Sequence, residues 1–163
     1  MSPPPLTERQ LLLSQILKAI RRRRGLRSSE VARSIGMALR SYQHFESARG
    51  REDGPTIHAF AEAVDADGYA ILLALDMKSA DFAVDCLDNK FTSVMVLAVR
   101  RFRKKSGRDL ARLDPRSVIG AFERAFGELT KKLGEDDAYV EEWMTDPALG
   151  GDLHDPDDEP EDR

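Results

Sequence analysis

One glycine, Gly36, constrains the fold of this chain more than any other residue. It separates two short segments of helical period. Residues 28–35 (SSEVARSI) put Val31 and Ile35 on one face with Ala32 beside them. Residues 38–48 (ALRSYQHFESA) put Tyr42 and Phe45 inward at a three-residue spacing. Glycine takes positive φ at little cost, so Gly36 can end the first helix and turn the chain at once. Two helices joined so tightly must share one small core. Leu39, Arg40, Gln43, His44 and Ser47 then lie together on the outer face of the second helix. An apolar back and a polar front suit a helix that sits on a core and reaches into a nucleic-acid groove.

The flanking sequence supplies more helices. Ser2-Pro3-Pro4-Pro5 is a stiff, extended lead-in. Thr7 and Gln10 have the spacing of a capping box, with Leu6 and Leu11 at the staple positions. A helix follows to about Arg24, burying Leu13, Ile16, Leu17 and Ile20. The run from Arg21 to Arg24 has two readings, a solvated helix end favoured by the dipole or a phosphate contact. Gly25 stops the helix. Thr56 is expected to cap a fourth helix carrying Ile57, Phe60, Ala61 and Val64. After a turn at residues 65–68, a fifth spans 69–75 with Ile71, Leu72 and Leu75.

Charge is distributed unevenly. Residues 1–51 hold 11 Lys/Arg against 3 Asp/Glu, whereas residues 134–163 hold 1 against 13, so the net −4 conceals a basic N-terminal third. The positive charge is concentrated where a phosphate backbone would sit.

The segment GLRSSEVARSIGMALRSYQHFESARG resembles the helix-turn-helix of the phage-repressor (Xre, Cro/cI-like) family. The matching features are Gly25-Leu26, Val31-Ala32, Gly36 at the turn, then Tyr42, Phe45 and Glu46, continuing through Pro55, Ala61, Val64 and Leu72. The resemblance covers about residues 11–75. It implies an all-α, five-helix lambda-repressor-like DNA-binding domain, with residues 38–48 as the recognition helix in the major groove. Base reading then falls to Leu39, Arg40, Gln43 and His44. Arginine can donate twice to guanine, glutamine can pair with adenine, and Leu39 can meet a thymine methyl. Phosphate contacts fall to Arg27, Ser28, Ser41, Ser47, Arg49 and Arg51. The resemblance also pairs Arg21 with Glu46 in a structural bridge. The chain departs from the family in three places. Arg27 stands at the usual N-cap of the second helix, so Ser28 can cap instead, one residue later. Ala38 replaces the usual capping Ser/Thr of the recognition helix. The usual glycine near Ala48 is displaced to Gly50.

The second half reads as further helix without strands or repeats. Ser79 can cap a helix with Phe82, Val84, Cys86 and Leu87, broken near Asn89-Lys90. Residues 91–105 are apolar on most sides and so expected to be buried on most sides, in a core or a dimer interface. Their basic end (Arg100, Arg101, Arg103, Lys104, Lys105) is a solvated terminus, a dock for the acidic tail or a second nucleic-acid contact. Asp114-Pro115 starts a helix expected to stop at Gly134, striped by Val118, Ile119, Phe122, Ala125, Phe126, Leu129 and Leu133. A short amphipathic piece carries Tyr139, Val140 and Trp143, and an acidic tail follows Pro147. The expected organisation is a lead-in over 1–6, the DNA-binding domain over 7–77, a helical dimerisation or partner-binding domain over 78–146 and a disordered tail over 147–163.

Catalytic, metal and cofactor sites are not expected. His44, His58 and His154 are scattered, a single cysteine builds neither a disulfide nor a Cys-rich zinc site, and no phosphate-binding fingerprint occurs. No stretch is long enough to span a membrane, and the N-terminus lacks a signal pattern, so a cytoplasmic, bacterial or phage-encoded, nucleoid-associated protein is expected. The expected function is a dimeric, sequence-specific regulator of transcription bound to double-stranded DNA, a repressor before an activator. RNA polymerase or another protein is a candidate partner of the C-terminal half. The alternative is a protein-interaction module, an antitoxin or accessory factor, whose C-terminal helices bind a protein.

Overall fold

The computed structural model describes residues 5–49 and 52–144, with side chains described as far as Glu135. These residues are all-helical, in the order α1 (Glu8–Arg23), α2 (Ser28–Ser34), α3 (Leu39–Glu46), α4 (Gly54–Ala63), α5 (Gly68–Met77), α6 (Ala80–Asp85), α7 (Phe91–Ser106) and α8 (Pro115–Met144), with a 3-10 turn at Gly107–Arg112. The chain divides after Gly107 into two units.

In the first unit the apolar faces meet around α1. Ile16, Leu17 and Ile20 are fully buried among Val31, Tyr42, Ile57, Phe60, Val64, Ile71 and Leu87. Each such side chain contributes about 1.5–3 kcal/mol on leaving water. Helix α1 packs on α3, α5 and α6, α2 on α3 and α4, and α5 on α4, α6 and α7. The first compact unit runs on past residue 77 to Gly107. Ala83, Cys86, Leu87 and Thr92 are buried, and they hold α6 and the start of α7 in the first unit.

Some helix boundaries form as the sequence predicts and others differ. The capping box of Thr7 and Gln10 forms as its spacing predicts. Thr56, however, does not cap α4. Asp53 does, accepting from the Thr56 amide and hydroxyl, since a carboxylate is the stronger acceptor. Ser28 is inside α2 rather than its cap; Arg27 is the cap residue, and its amide donates to Glu30 Oε2 at 2.6 Å. Ala38 caps α3 with no side-chain bond. Gly134 does not end α8, which runs on to Met144.

Among the described residues the burial expected of α7 is not found. Only Thr92 is buried, while Val94, Leu97, Val99 and Phe102 are exposed. Residues 1–4, 50, 51 and 145–163, and the side chains of Tyr139, Val140 and Trp143, lie outside the described set.

Two polar devices close the helix ends. Asp67 is buried and serves two helices. Its Oδ1 accepts from the Tyr69 and Ala70 amides (3.1 and 3.2 Å) at the start of α5, and it also takes the Ser93 hydroxyl at 2.7 Å. Its Oδ2 accepts from the Ser93 amide at 2.9 Å, at the start of α7. At the end of α4, Arg24 donates to the Val64 and Asp65 carbonyls (3.0 and 2.7 Å) and pairs with Asp88 at 2.8 Å. Lys90 adds a bond to Asp65 Oδ1 at 2.8 Å, which holds that carboxyl below its usual range. Cations at a helix C-terminus satisfy its orphan carbonyls.

Left-handed residues end α1 to α5: Gly25, Gly36, Ala48, Asp65 and Lys78. At Gly36, a bond from the Met37 amide to the Ala32 carbonyl (2.8 Å) closes the turn. A Cβ there would touch nothing within 4 Å, so its cost is purely conformational. Gly36→Ala should lower stability by about 1 kcal/mol, and Lys78→Gly, at an exposed left-handed site, should raise it by about 0.5–1 kcal/mol, both read by denaturant titration. Asp67→Ala should cost about 3 kcal/mol and Asp67→Asn about 1, by the same titration.

Candidate nucleic-acid interface

Helix α3 has one buried edge and one exposed face. Tyr42 and Glu46, one turn apart, are buried, and Phe45 packs partly on the core. A buried carboxylate needs partners. Arg21 of α1 supplies them, with Nε to Glu46 Oε1 at 2.5 Å and Nη2 to Oε2 at 3.2 Å. The Tyr42 hydroxyl donates to the same Oε1 at 2.8 Å. Arg21 Nη1 also reaches the Leu26 carbonyl at 2.9 Å, fixing the α1–α2 turn. The pairing expected of Arg21 and Glu46 is thus formed, with Tyr42 as an added member. Its hydrogen bond to Glu46 raises the Arg21 guanidinium above its ordinary value. Burial first, and then its bond to Glu46, pushes the Tyr42 phenol well above the usual range.

The network sets the rotation of α3, and with it what faces outward. Leu39, Arg40, Gln43 and His44 are all exposed, at the i, i+1, i+4, i+5 positions of one face. Among the described residues, Arg40, Gln43 and His44 make no side-chain hydrogen bond or ion pair. Leu39 is 44 % exposed beside them.

The flanking positions divide. Arg27, Ser41 and Arg49 are exposed and Ser28 is half-buried, with no side-chain partner among the described residues. Ser47 differs, because its hydroxyl donates to the His44 carbonyl at 2.9 Å, which leaves no donor for a phosphate in this rotamer. Arg51 lies outside the described residues. Glu52, which would repel phosphate, is turned to Arg9 (2.7 and 3.0 Å), and Asp53 caps α4.

The arginine run at the end of α1 splits into two classes. Arg21 and Arg24 are structural and half-buried, while Arg22 and Arg23 are exposed. The role of Arg24 is not visible in the sequence, since its partners are the Val64 and Asp65 carbonyls just past α4 and the Asp88 carboxylate, all distant along the chain. Asp67 falls in the turn expected at residues 65–68, and an aspartate before Gly68-Tyr69 also has the form of an N-cap.

Among the described residues no cluster of metal-ligating side chains occurs, and no helix is long and apolar enough to cross a membrane. Cys86 is buried, and burial pushes its thiol up, away from thiolate chemistry. No family model matches the chain, and neither the curated proteins nor the solved structures give a match.

Breaking one side of the Arg21–Glu46 pair leaves a buried charge alone. Arg21→Met and Glu46→Leu should each cost about 3 kcal/mol, and the double variant less than their sum by at least about 1 kcal/mol, in a double-mutant cycle by chemical denaturation.

Proposed function

We propose that this chain is a sequence-specific double-stranded DNA-binding regulator of transcription, with α3 in the major groove. The observation that carries the reading is the outer face of α3: Arg40, Gln43 and His44 held outward, unpaired, by a buried charge network on the opposite edge. Side chains that read bases must be free of internal partners and carried on a rigid element. The resemblance over residues 11–75 supports the same reading, as does the excess of basic residues before Glu52. Arg40 would donate to a guanine, Gln43 to an adenine, and Leu39 would lie against a thymine methyl. Arg27, Ser28, Ser41, Arg49 and Arg51 would flank the groove and meet phosphates. In this reading the first unit is arranged as in the lambda-repressor-like family. The protein acts as a dimer in the cytoplasm of a bacterium and represses by occupying a promoter.

A second reading has an observation of its own. The exposed apolar stripe of α8 favours a protein-interaction module whose C-terminal helix binds a partner, with the first unit as a tether.

Selection from a random duplex pool tests the first reading. The full chain should enrich one motif, and Arg40→Ala should weaken binding to it about tenfold or more while leaving nonspecific binding nearly unchanged. Affinity for the motif should fall steeply with salt. Failure to enrich any motif would shift the conclusion to the interaction module.

A further inference from the structure

Helix α8 displays a regular apolar seam. Ile119, Phe122, Phe126, Leu129 and Leu133 follow one another at alternating spacings of three and four, the a and d positions of a heptad. They are 57, 44, 43, 49 and 68 % exposed. Phe122 and Phe126 are stacked with ring centroids 5.9 Å apart, forming one continuous surface. Gly120, Gly127 and Gly134 lie inside the same helix and weaken it in isolation. A long helix of this composition draws its stability from packing its apolar face.

We propose that the occupant of this seam is α8 of a second copy of the chain, running antiparallel. Heptad spacing suits a matching helix, and a two-fold axis lets one seam cover itself. Charge selects the direction. Residues 135–142 contain five acidic and no basic residues, whereas residues 108–116 contain three arginines and two aspartates, a net positive start. Parallel pairing sets the two acidic ends side by side; antiparallel pairing sets each against the partner's arginines.

The flanking positions agree on one register. Antiparallel e positions meet e positions, which brings Arg116 opposite Asp137 and Glu123 opposite Thr130 of the second copy. In the same register the g positions bring Lys132 opposite Ala125. No like charges meet at these positions. The pairing gives the proposed regulator its two-fold, but it stands on α8 alone. Association and duplex binding are measured separately, so either can fail without the other.

Sedimentation of the full chain tests the pairing. A dimer is expected at about 10 µM, and Phe122→Asp with Phe126→Asp should raise its dissociation constant about a hundredfold or more. The melting of the first unit should not change. Arg116→Glu should weaken the dimer about threefold or more, and adding Asp137→Arg should restore it, because the swapped charges again oppose one another. A chain that stays monomeric, or a dimer indifferent to the two aspartates, overturns the proposal. A dimer indifferent to Arg116→Glu, or one that Asp137→Arg fails to restore, overturns the antiparallel arrangement.

Discussion

A carboxylate inside a small helical core organises the first unit. Glu46 is buried on α3, and the energetic cost of an unpaired charge there forces every neighbour into position. Arg21 must present its guanidinium edge, Tyr42 must turn its hydroxyl inward, and the Leu26 carbonyl must lie within reach of the remaining nitrogen. The α1–α2 turn and the rotation of α3 are therefore set together. Helix α3 has only eight residues and no side-chain cap, too little to hold itself in water. Tertiary contacts orient it, and this network supplies the directional ones.

The same economy recurs at other helix ends. Short helices expose many orphan amides and carbonyls per residue, and burying them without partners is costly. Asp67 serves two N-termini at once, and Arg24 with Lys90 serves the end of α4. These groups tie α1, α4, α5 and α7 by hydrogen bonds whose geometry tolerates little sliding. The apolar core supplies most of the stabilisation, and the buried polar groups select which arrangement of the helices it favours.

Two exposed faces differ in chemistry. Helix α3 shows polar side chains without internal partners, whereas α8 shows a regular apolar stripe. In the proposed reading the first faces a groove lined with donors and acceptors, and the second faces a copy of itself. The two surfaces sit on different units, so the readings are physically independent.

The local signals in the chain were enough for the helices themselves. Period placed Val31, Tyr42, Phe60 and Ile71 inward, Gly36 marked the turn, and Thr7 with Gln10 marked the first cap, because all of these act within four residues. The same locality misled at Thr56, Ser28 and Gly134, where a nearby acceptor or a continuing helix outweighed a plausible signal. Which arginines of the run at 21–24 are structural, and that Asp67 joins two helices, was decided only in three dimensions. Their partners, Glu46, Val64, Asp65 and Ser93, belong to helices and turns distant along the chain. The seam of α8 shows the division most plainly: its spacing is written in the sequence, but its exposure is a property of the folded chain, because burial depends on what else arrives to cover it.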